Sequence, residues 1–253
     1  RRPEAPGLSR GFWLSGGMPP ARFRFQTLEI GPYDLHLRAL RDREQYSDDQ
    51  GEAEALGVPP AMWPLFGLVW ESGRLLAEQV VDLPVAGLRV LEVGCGLGLA
   101  SLILNRRGAD VTATDFHPEA GRFLAYNAAL NGDPPPRFLR CGWADPVPEL
   151  GRFDLVIGSE VLYEAPQVPV LASFIEAHAA PDAGVMLIDP GRGLLGRFSR
   201  ELQARGFDRQ ARRTLPREGG AAQLLLAERG AFTLLHTPRE DAGPRTPGRD
   251  IAG

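Results

Sequence analysis

Residues 90–98 read Val-Leu-Glu-Val-Gly-Cys-Gly-Leu-Gly, an apolar run that ends in a glycine-rich turn. A helical pattern follows at residues 97–107, so the turn joins a strand to a helix. Glycine permits positive φ and lacks the Cβ that would block a nearby ligand, and a helix start offers free N–H groups. The segment therefore predicts a strand, a turn and a helix whose backbone approaches a ligand.

The rest of the chain surrounds this unit with similar ones. Apolar runs alternate with helical stretches from residue 88 onward, which is typical of βαβ units around a parallel sheet. The predicted strands are 89–93, 110–114, 137–140, 153–158, 184–189, 207–215 and 223–227, with 232–236 left open. The predicted helices are 72–81, 97–107, 117–131, 166–179 and 194–205. Alternation on both sides of Gly31-Pro32 predicts a hairpin from residue 22 to residue 38.

Composition sets the class of protein. The chain has 253 residues, 43% hydrophobic and 24% charged, as in a globular protein. No window approaches the roughly 18 apolar residues of a membrane helix, and two cysteines at unrelated positions predict reduced thiols and no metal site. We therefore expect a cytoplasmic protein without a membrane partner. The absence of coiled-coil heptads favours a monomer.

Charge says little about a nucleic-acid partner. The net charge is −4, which gives no general attraction to nucleic acid. All 28 basic residues are arginine, and we attribute this to coding bias in preference to a physical requirement. Eight arginines lie between residues 192 and 217. We interpret them as solvated faces of a helix and a strand, in preference to a docking surface for an acidic partner.

Two positions define the ligand that the turn would hold. Dinucleotide sites use G-x-G-x-x-G, and their third glycine would fall at Leu99, so the spacing argues against a pyrophosphate. Asp115 ends the next strand, about twenty residues after Gly94, where a carboxylate accepts ribose hydroxyls. The glycine-rich turn and Asp115 together predict an adenosine-containing cofactor.

The turn resembles a known family. Its G-x-G-x-G spacing, with Glu92 two residues before, resembles the class I, seven-stranded S-adenosylmethionine-dependent methyltransferases. Segments similar to the protein-lysine branch, which includes the calmodulin, valosin-containing-protein and electron-transfer-flavoprotein enzymes, are 66–77, 127–131, 141–145 and 153–163. Residues 188–192 (Ile-Asp-Pro-Gly-Arg) resemble the flavoprotein-modifying subgroup.

The resemblance implies a fold and a division of the chain. The fold class is α/β, a Rossmann-like, doubly wound, seven-stranded and mostly parallel sheet with an antiparallel last strand, plus an N-terminal hairpin and short helix. We expect disordered tails at 1–20 and 237–253, a hairpin and lid element at 21–83 and the methyltransferase domain at 84–236. Met18 is a plausible true start, which leaves residues 1–17 without an assigned function.

The resemblance also implies the site residues. S-adenosyl-L-methionine is the expected cofactor, and its expected ligands are Trp70, Glu92, Gly94, Cys95, Gly96, Gly98, Asp115, Trp143 and Ser159. Glu160 and Tyr163 are the expected catalytic residues; the family has Asp-x-x-Tyr where this chain has Glu160-Val161-Leu162-Tyr163. Glu160 orients the acceptor amine in this interpretation, because a nearby carboxylate stabilises an ammonium and opposes its deprotonation.

The leading hypothesis is methylation of a lysine side chain in a protein, a reaction that needs alignment and exclusion of water but no metal. The alternative keeps the cofactor and replaces the acceptor with a small amine or a nicotinamide-like nitrogen heterocycle. Nucleic-acid methylation is less favoured, since the Asn/Asp-Pro-Pro-aromatic segment of base-amine methylases is absent after the fourth strand. A cofactor-binding module without chemistry and a nicotinamide-dependent oxidoreductase are the hypotheses from other classes.

Overall fold

The chain forms two β-sheets. The computed structural model describes residues 23–42, 48, 50–217 and 219–234; the predicted tails lie outside these residues. Strands β1 (Phe23–Ile30) and β2 (Tyr33–Leu40) form the predicted hairpin. The large sheet contains β3 (Arg89–Val93), β4 (Asp110–Asp115), β5 (Arg137–Arg140), β6 (Phe153–Ser159), β7 (Ala179–Asp189), β8 (Arg209–Arg217) and β9 (Gly220–Arg229).

The order of the large sheet is β5-β4-β3-β6-β7-β9-β8. Neighbours from β5 to β7 pair in parallel, whereas β9 runs antiparallel to both β7 and β8. This confirms the predicted fold class. The chain moves outward in one direction from β3 to β5 and then returns to the other side of β3 with β6, and ligands of open α/β sheets bind at such a reversal.

Helices cover both faces of this sheet. The α-helices of the described residues are α1 (Glu52–Ala55), α2 (Glu71–Val80), α3 (Leu99–Arg106), α4 (Ala120–Leu130), α5 (Gln167–His178) and α6 (Leu195–Gln203), and α2 to α6 pack on the sheet. One buried cluster joins the hairpin, α2, α3 and α4 to the sheet, and a second joins α5 and α6 to its other face. No helix of the described residues is both long and apolar enough to cross a membrane.

Strand β7 differs most from the prediction. It begins at Ala179 and not at residue 184, directly after the end of α5. Arg229 of β9 donates to the carbonyls of Ala179 and Ala180 at 2.7 Å, and so bonds backbone groups at the irregular start of the strand. The stretch has little strand propensity of its own, so only this distant arginine and the sheet explain it.

Two smaller differences concern loops. No helix was predicted before residue 72, whereas the structure has the single-turn helix α1, which begins after Gly51. Residues 232–234, the described part of the undecided last strand, form no strand. Arg209 instead donates to the carbonyl of Phe232 at 2.5 Å.

The hairpin is attached to the domain by two asparagines of α4. Asn127 accepts the N–H of Arg38 at 2.8 Å and donates to the same residue's carbonyl at 3.2 Å. One turn later, Asn131 makes the same pair of bonds to the backbone of His36, at 2.9 and 2.7 Å. Residues four apart lie on one helix face, and residues two apart on a strand point their N–H groups to one side, so the two amides extend the ladder of β2.

We predict that Asn127→Ala lowers the free energy of unfolding by about 2–4 kcal/mol, because Asn127 is fully buried and its loss leaves two backbone groups of β2 unpaired. Urea unfolding measures this loss. Asn131→Ala, at a more exposed position, is expected to cost less. Equal effects of the two substitutions would contradict the assigned role of burial.

Candidate active site

A cavity of about 630 Å³ opens where β3, β4 and β6 end, at the reversal of strand order. Parallel strands bring the residues that follow them to one edge of the sheet, which explains why distant segments meet here. Every predicted site residue lines this cavity except Gly98. Gly98 is instead the residue before α3, and a Cβ there would lie 2.5 Å from Leu124.

The glycines of the turn are required by conformation and by packing. Gly94, Gly96 and Gly98 have φ of 60°, 54° and 68°, the left-handed region that other residues rarely enter. A Cβ at Gly94 would lie 2.7 Å from Val161, and one at Gly96 would lie 3.0 Å from the carbonyl oxygen of Phe66. Contacts within the protein therefore require glycine at these positions, in addition to the predicted reason, which is space for a ligand.

The N–H groups of the turn are also used by the protein. Cys95 donates to the carbonyl of Thr114 at 2.9 Å, Gly96 donates to Asp115 at 2.8 Å, and Gly98 donates to the carbonyl of Cys95 at 2.7 Å. The sequence predicted free N–H groups at the start of the helix, which begins at Leu99, and these three positions precede it. The turn contributes shape and side chains to the cavity.

Glu92 lies buried beneath the turn and contacts the start of α3. Its Oε2 accepts the N–H of Ser101 at 2.9 Å and also the hydroxyl of Ser101. A carboxylate at a helix N-terminus compensates for unpaired N–H groups and for the positive end of the helix dipole. Burial nevertheless raises the pKa of Glu92 to about 7.

Asp115 links the ends of β3 and β4. Its Oδ2 accepts the N–H of Gly96 and its Oδ1 accepts the N–H of His117, each at 2.8 Å. Burial raises the pKa of Asp115, and these backbone bonds counter part of the rise. Each carboxylate oxygen accepts more than one hydrogen bond, so the group retains capacity for a ligand in the cavity.

Residues 58–70 cover the cavity from the side of α2, and tryptophans fix this segment. The indole N–H of Trp63 donates to the carbonyl of Val58 at 2.8 Å, and that of Trp70 donates to the carbonyl of Leu65 at 2.9 Å. Trp70 therefore presents its ring to the cavity with its N–H already bonded. Trp143 lines the cavity from the loop after β5.

Sequence reasoning missed an aromatic pair in the lining. Phe66 stacks on His117, with ring centroids 3.9 Å apart. Both residues are buried, each with an exposed fraction of 5%. Burial lowers the pKa of His117 to about 4, so its ring is neutral near pH 7. No local pattern identified this pair, because 51 positions separate its members.

Glu160 follows Ser159 at the end of β6 in a strained conformation. Its φ is 54°, and it is the only non-glycine residue with positive φ among those that the structure describes. Its N–H donates to the carbonyl of Ile188 at 2.9 Å. Left-handed geometry costs a residue with a Cβ roughly 1–2 kcal/mol. Such strain is concentrated at functional sites.

The Glu160 side chain pairs with a residue that sequence analysis did not assign to the site. Arg192 Nη2 lies 2.9 Å from Glu160 Oε2, and the Arg192 guanidinium lies 4.3 Å from the ring centre of Tyr163. Asp189 fixes this arginine by accepting the N–H groups of Gly191 and Arg192 at 2.8 and 2.9 Å. The segment 188–192, noted for its resemblance, thus lies beside the predicted catalytic residues.

The lining of the large cavity is acidic, although burial keeps Glu92 partly protonated near pH 7 and Arg192 compensates the charge of Glu160. Four carboxylates, Glu92, Asp115, Asp145 and Glu160, line it, and no arginine does among the described residues. The described residues also contain no group of three His, Cys, Asp or Glu side chains suited to a metal ion. The cavity is therefore suited to a cationic or hydroxyl-bearing ligand and unsuited to a phosphate.

Comparisons with known proteins identify relatives. A family model described as a methyltransferase domain matches residues 70–230. The electron transfer flavoprotein beta subunit lysine methyltransferase of Xenopus laevis is 30% identical over 163 residues, or 63% of this chain. Protein N-lysine methyltransferase METTL21A of Danio rerio is 28% identical over 173 residues, 63% of this chain and 78% of that protein.

The matches are partial in length. The chain spans 63% of the Xenopus flavoprotein methyltransferase. Among solved structures, the magnesium protoporphyrin IX methyltransferase of Synechocystis with bound S-adenosylmethionine has a TM-score of 0.53 at 20% identity. That likeness covers 74% of this chain and 95% of the other, and it shows a shared fold.

We predict that Glu92→Gln removes one pH dependence of stability. The pKa of Glu92 is raised from its ordinary 4.5 to about 7, so the folded protein holds this proton more tightly than the unfolded chain. The contribution of Glu92 to stability is therefore present below about pH 4.5 and is lost as pH rises to 7. Urea unfolding at pH 5 and pH 8 is expected to show Glu92→Gln gaining on the wild type by an amount on the order of 3 kcal/mol.

The difference in stability between the wild type and Glu92→Gln isolates the effect of Glu92, because His117 titrates in the opposite sense and is present in both proteins. The depressed pKa of His117, about 4, makes its own contribution to stability rise with pH. A gap between wild type and Glu92→Gln that stays constant from pH 5 to pH 8 would contradict the raised pKa of Glu92.

Proposed function

Because this chain belongs to the methyltransferase-domain family, we propose that it transfers a methyl group from S-adenosylmethionine to an amine nitrogen, that of a lysine side chain in a protein. The observation that carries the proposal is the acidic lining of the large cavity, which contains Asp115, Asp145, the Arg192-paired Glu160 and the partly protonated Glu92, and no arginine among its described residues. S-adenosylmethionine bears a sulfonium and an ammonium against one carboxylate, and the acceptor arrives as a cation. Both match an acidic cavity.

The residues present fit this cofactor. Asp115 has remaining acceptor capacity for ribose hydroxyls, and the half-buried rings of Trp70 and Trp143 provide apolar walls. Glu92, Cys95 and Ser159 line the same cavity, and Gly94 and Gly96 shape its floor. When bound, the cofactor supplies a methyl group attached to a positively charged sulfur, and an amine nitrogen attacks the methyl carbon in line with the carbon–sulfur bond. The chain's own task is to orient that nitrogen and to exclude water.

Glu160 and Tyr163 form the acceptor end of the proposed site. The Glu160 carboxylate accepts a hydrogen bond from the acceptor amine in this proposal, and the exposed ring of Tyr163 lies at the rim. An isolated carboxylate would hold the amine as an ammonium, which has no free electron pair. Arg192, which is paired with Glu160, offsets this effect, because a second positive charge nearby favours the neutral amine.

The same charges weigh against another function. A nicotinamide-dependent oxidoreductase has to bind a pyrophosphate at the start of the helix that follows the first strand of the sheet. In this chain the Glu92 carboxyl group bonds to that helix start, and no arginine lines the cavity among the described residues.

A small heterocyclic acceptor is the second candidate. Met62, Phe116, Tyr163 and Val170 line the cavity, and each is 37–38% exposed, so its rim is apolar. A flat ring would bind such a rim as readily as the stem of a lysine does. The monomeric state, the cytoplasmic location and the domain boundaries stay predictions.

Labelled methyl transfer into a dialysed bacterial lysate tests the function. Incorporation is resolved into protein, nucleic-acid and small-molecule fractions, with Glu160→Gln as control, since glutamine retains the size of Glu160 and removes its charge. We expect label on a discrete protein, and at least about tenfold less with the variant, because a charge-assisted hydrogen bond is lost. The enzyme contains no lysine, so labelled lysine does not come from the enzyme itself. Label confined to small molecules would favour the heterocyclic acceptor.

Asp115→Ala is predicted to weaken binding of S-adenosylhomocysteine by about tenfold or more, because a charge-assisted hydrogen bond contributes about 1.5–3 kcal/mol. Calorimetry measures the affinity. Asp110→Ala is the matched control: Asp110 begins the same strand, is exposed and lies 3.4 Å from Arg89. Equal affinities of the wild type and Asp115→Ala would exclude Asp115 from the cofactor site.

A further inference from the structure

A second cavity adjoins the proposed acceptor end of the site. It has a volume of about 420 Å³, and Trp70 and Glu160 line both it and the large cavity. Its other charged lining residues are Glu71, Arg192 and Arg217. The proposed cofactor residues Asp115 and Trp143 do not line it, so this space is separate from the cofactor cavity and meets it at Glu160.

Arg192 retains hydrogen-bonding capacity in this cavity. A guanidinium carries five N–H donors, and the described ion pair to Glu160 uses Nη2. The turn that carries Arg192 is fixed by Asp189, which is 2% exposed. The backbone of Arg192 is therefore fixed, and its guanidinium has donors besides the one that bonds Glu160.

Arg217 is the second positive group of this cavity. It ends β8 and is half-buried, and its Nε is buried and bonds to no described residue. No carboxylate of the described residues forms an ion pair with it. A buried donor without a partner carries an energetic cost that a bound anion relieves.

The charges of the cavity specify the occupant. Glu160 and Arg192 neutralise each other, which leaves Glu71 and Arg217, and no ion pair joins these two among the described residues. A lone positive or negative ligand would leave one of them without compensation. An occupant with both a positive and a negative group satisfies both.

We propose that this second cavity is a substrate subsite that binds an aspartate or glutamate side chain lying next to the target lysine of the acceptor protein. The acceptor's carboxylate bonds to Arg217 and to the remaining donors of Arg192, while the lysine extends past Glu71 to Glu160. This inference rests on the proposed function and adds to it the sequence context that the enzyme selects.

Methylation of synthetic peptides by the full chain tests the subsite. Each peptide carries one central lysine, with aspartate at one flanking position in turn, and its partner carries asparagine there. We expect kcat/KM to be about tenfold or more higher for the best aspartate peptide than for its partner, because charged hydrogen bonds discriminate to this extent. Arg217→Gln is expected to reduce this ratio to less than about threefold, and Arg217→Glu to favour a peptide with arginine at that position.

Arg213→Gln is the matched control. Arg213 lies on the same strand and face, four residues before Arg217, but it is exposed and does not line the cavity. We expect this variant to keep the full aspartate preference. Binding of S-adenosylhomocysteine checks that each variant is folded.

The outcomes separate the subsite from the function. Peptides labelled equally with aspartate and asparagine at every position, or a preference that survives Arg217→Gln, would overturn the subsite and leave lysine methylation standing. Label on free amino acids or small amines, with none on any peptide, would overturn both.

Discussion

The turn after β3 constrains the rest of the site, because it exists only with three residues in the left-handed region. Gly94 and Gly96 take this conformation, and the N–H of Gly96 is then directed at the Asp115 carboxylate of the neighbouring strand. That bond joins the ends of two parallel strands and orients Asp115 along the cavity. A side chain at Gly94 would displace Val161, which follows Glu160 in the next segment of the site. Conformation at one turn thus fixes the positions of both proposed ends of the site.

Charge is distributed between two neighbouring spaces. The large cavity is lined by four acidic side chains and the neutral His117, and by no arginine among the described residues. The smaller cavity is lined by side chains of both charges, and Glu160 lies between the two cavities. Paired with Arg192, Glu160 is a hydrogen-bond acceptor whose charge is compensated. Such a group orients an amine with less stabilisation of its protonated form than an isolated carboxylate gives. The strained backbone of Glu160 is consistent with a position selected for chemistry at a cost in stability.

The local pattern of the sequence determined the elements and their order, and the resemblance extended this to the site. Alternating apolar runs and helical stretches predicted the sheet because backbone periodicity is a local property, and most strand ends agree within two residues. The glycine turn and Asp115 were recognisable because they follow strands at fixed spacing. The predicted start of β7 was wrong because Arg229, fifty residues away, supports a segment with little strand propensity.

What only the tertiary structure decided was which side chains face one another. Periodicity says that Arg192 and Arg217 lie on a helix, a strand or a turn, but not that both line one space with Glu160. The sequence predicted solvated arginines, a sound expectation for charged residues on exposed faces. Six of the eight, Arg192 among them, are exposed as expected, and Arg217 is half-buried where β7 and β8 end beside the proposed acceptor site. Contacts between segments tens of residues apart depend on strand order and helix packing, which local sequence patterns do not encode.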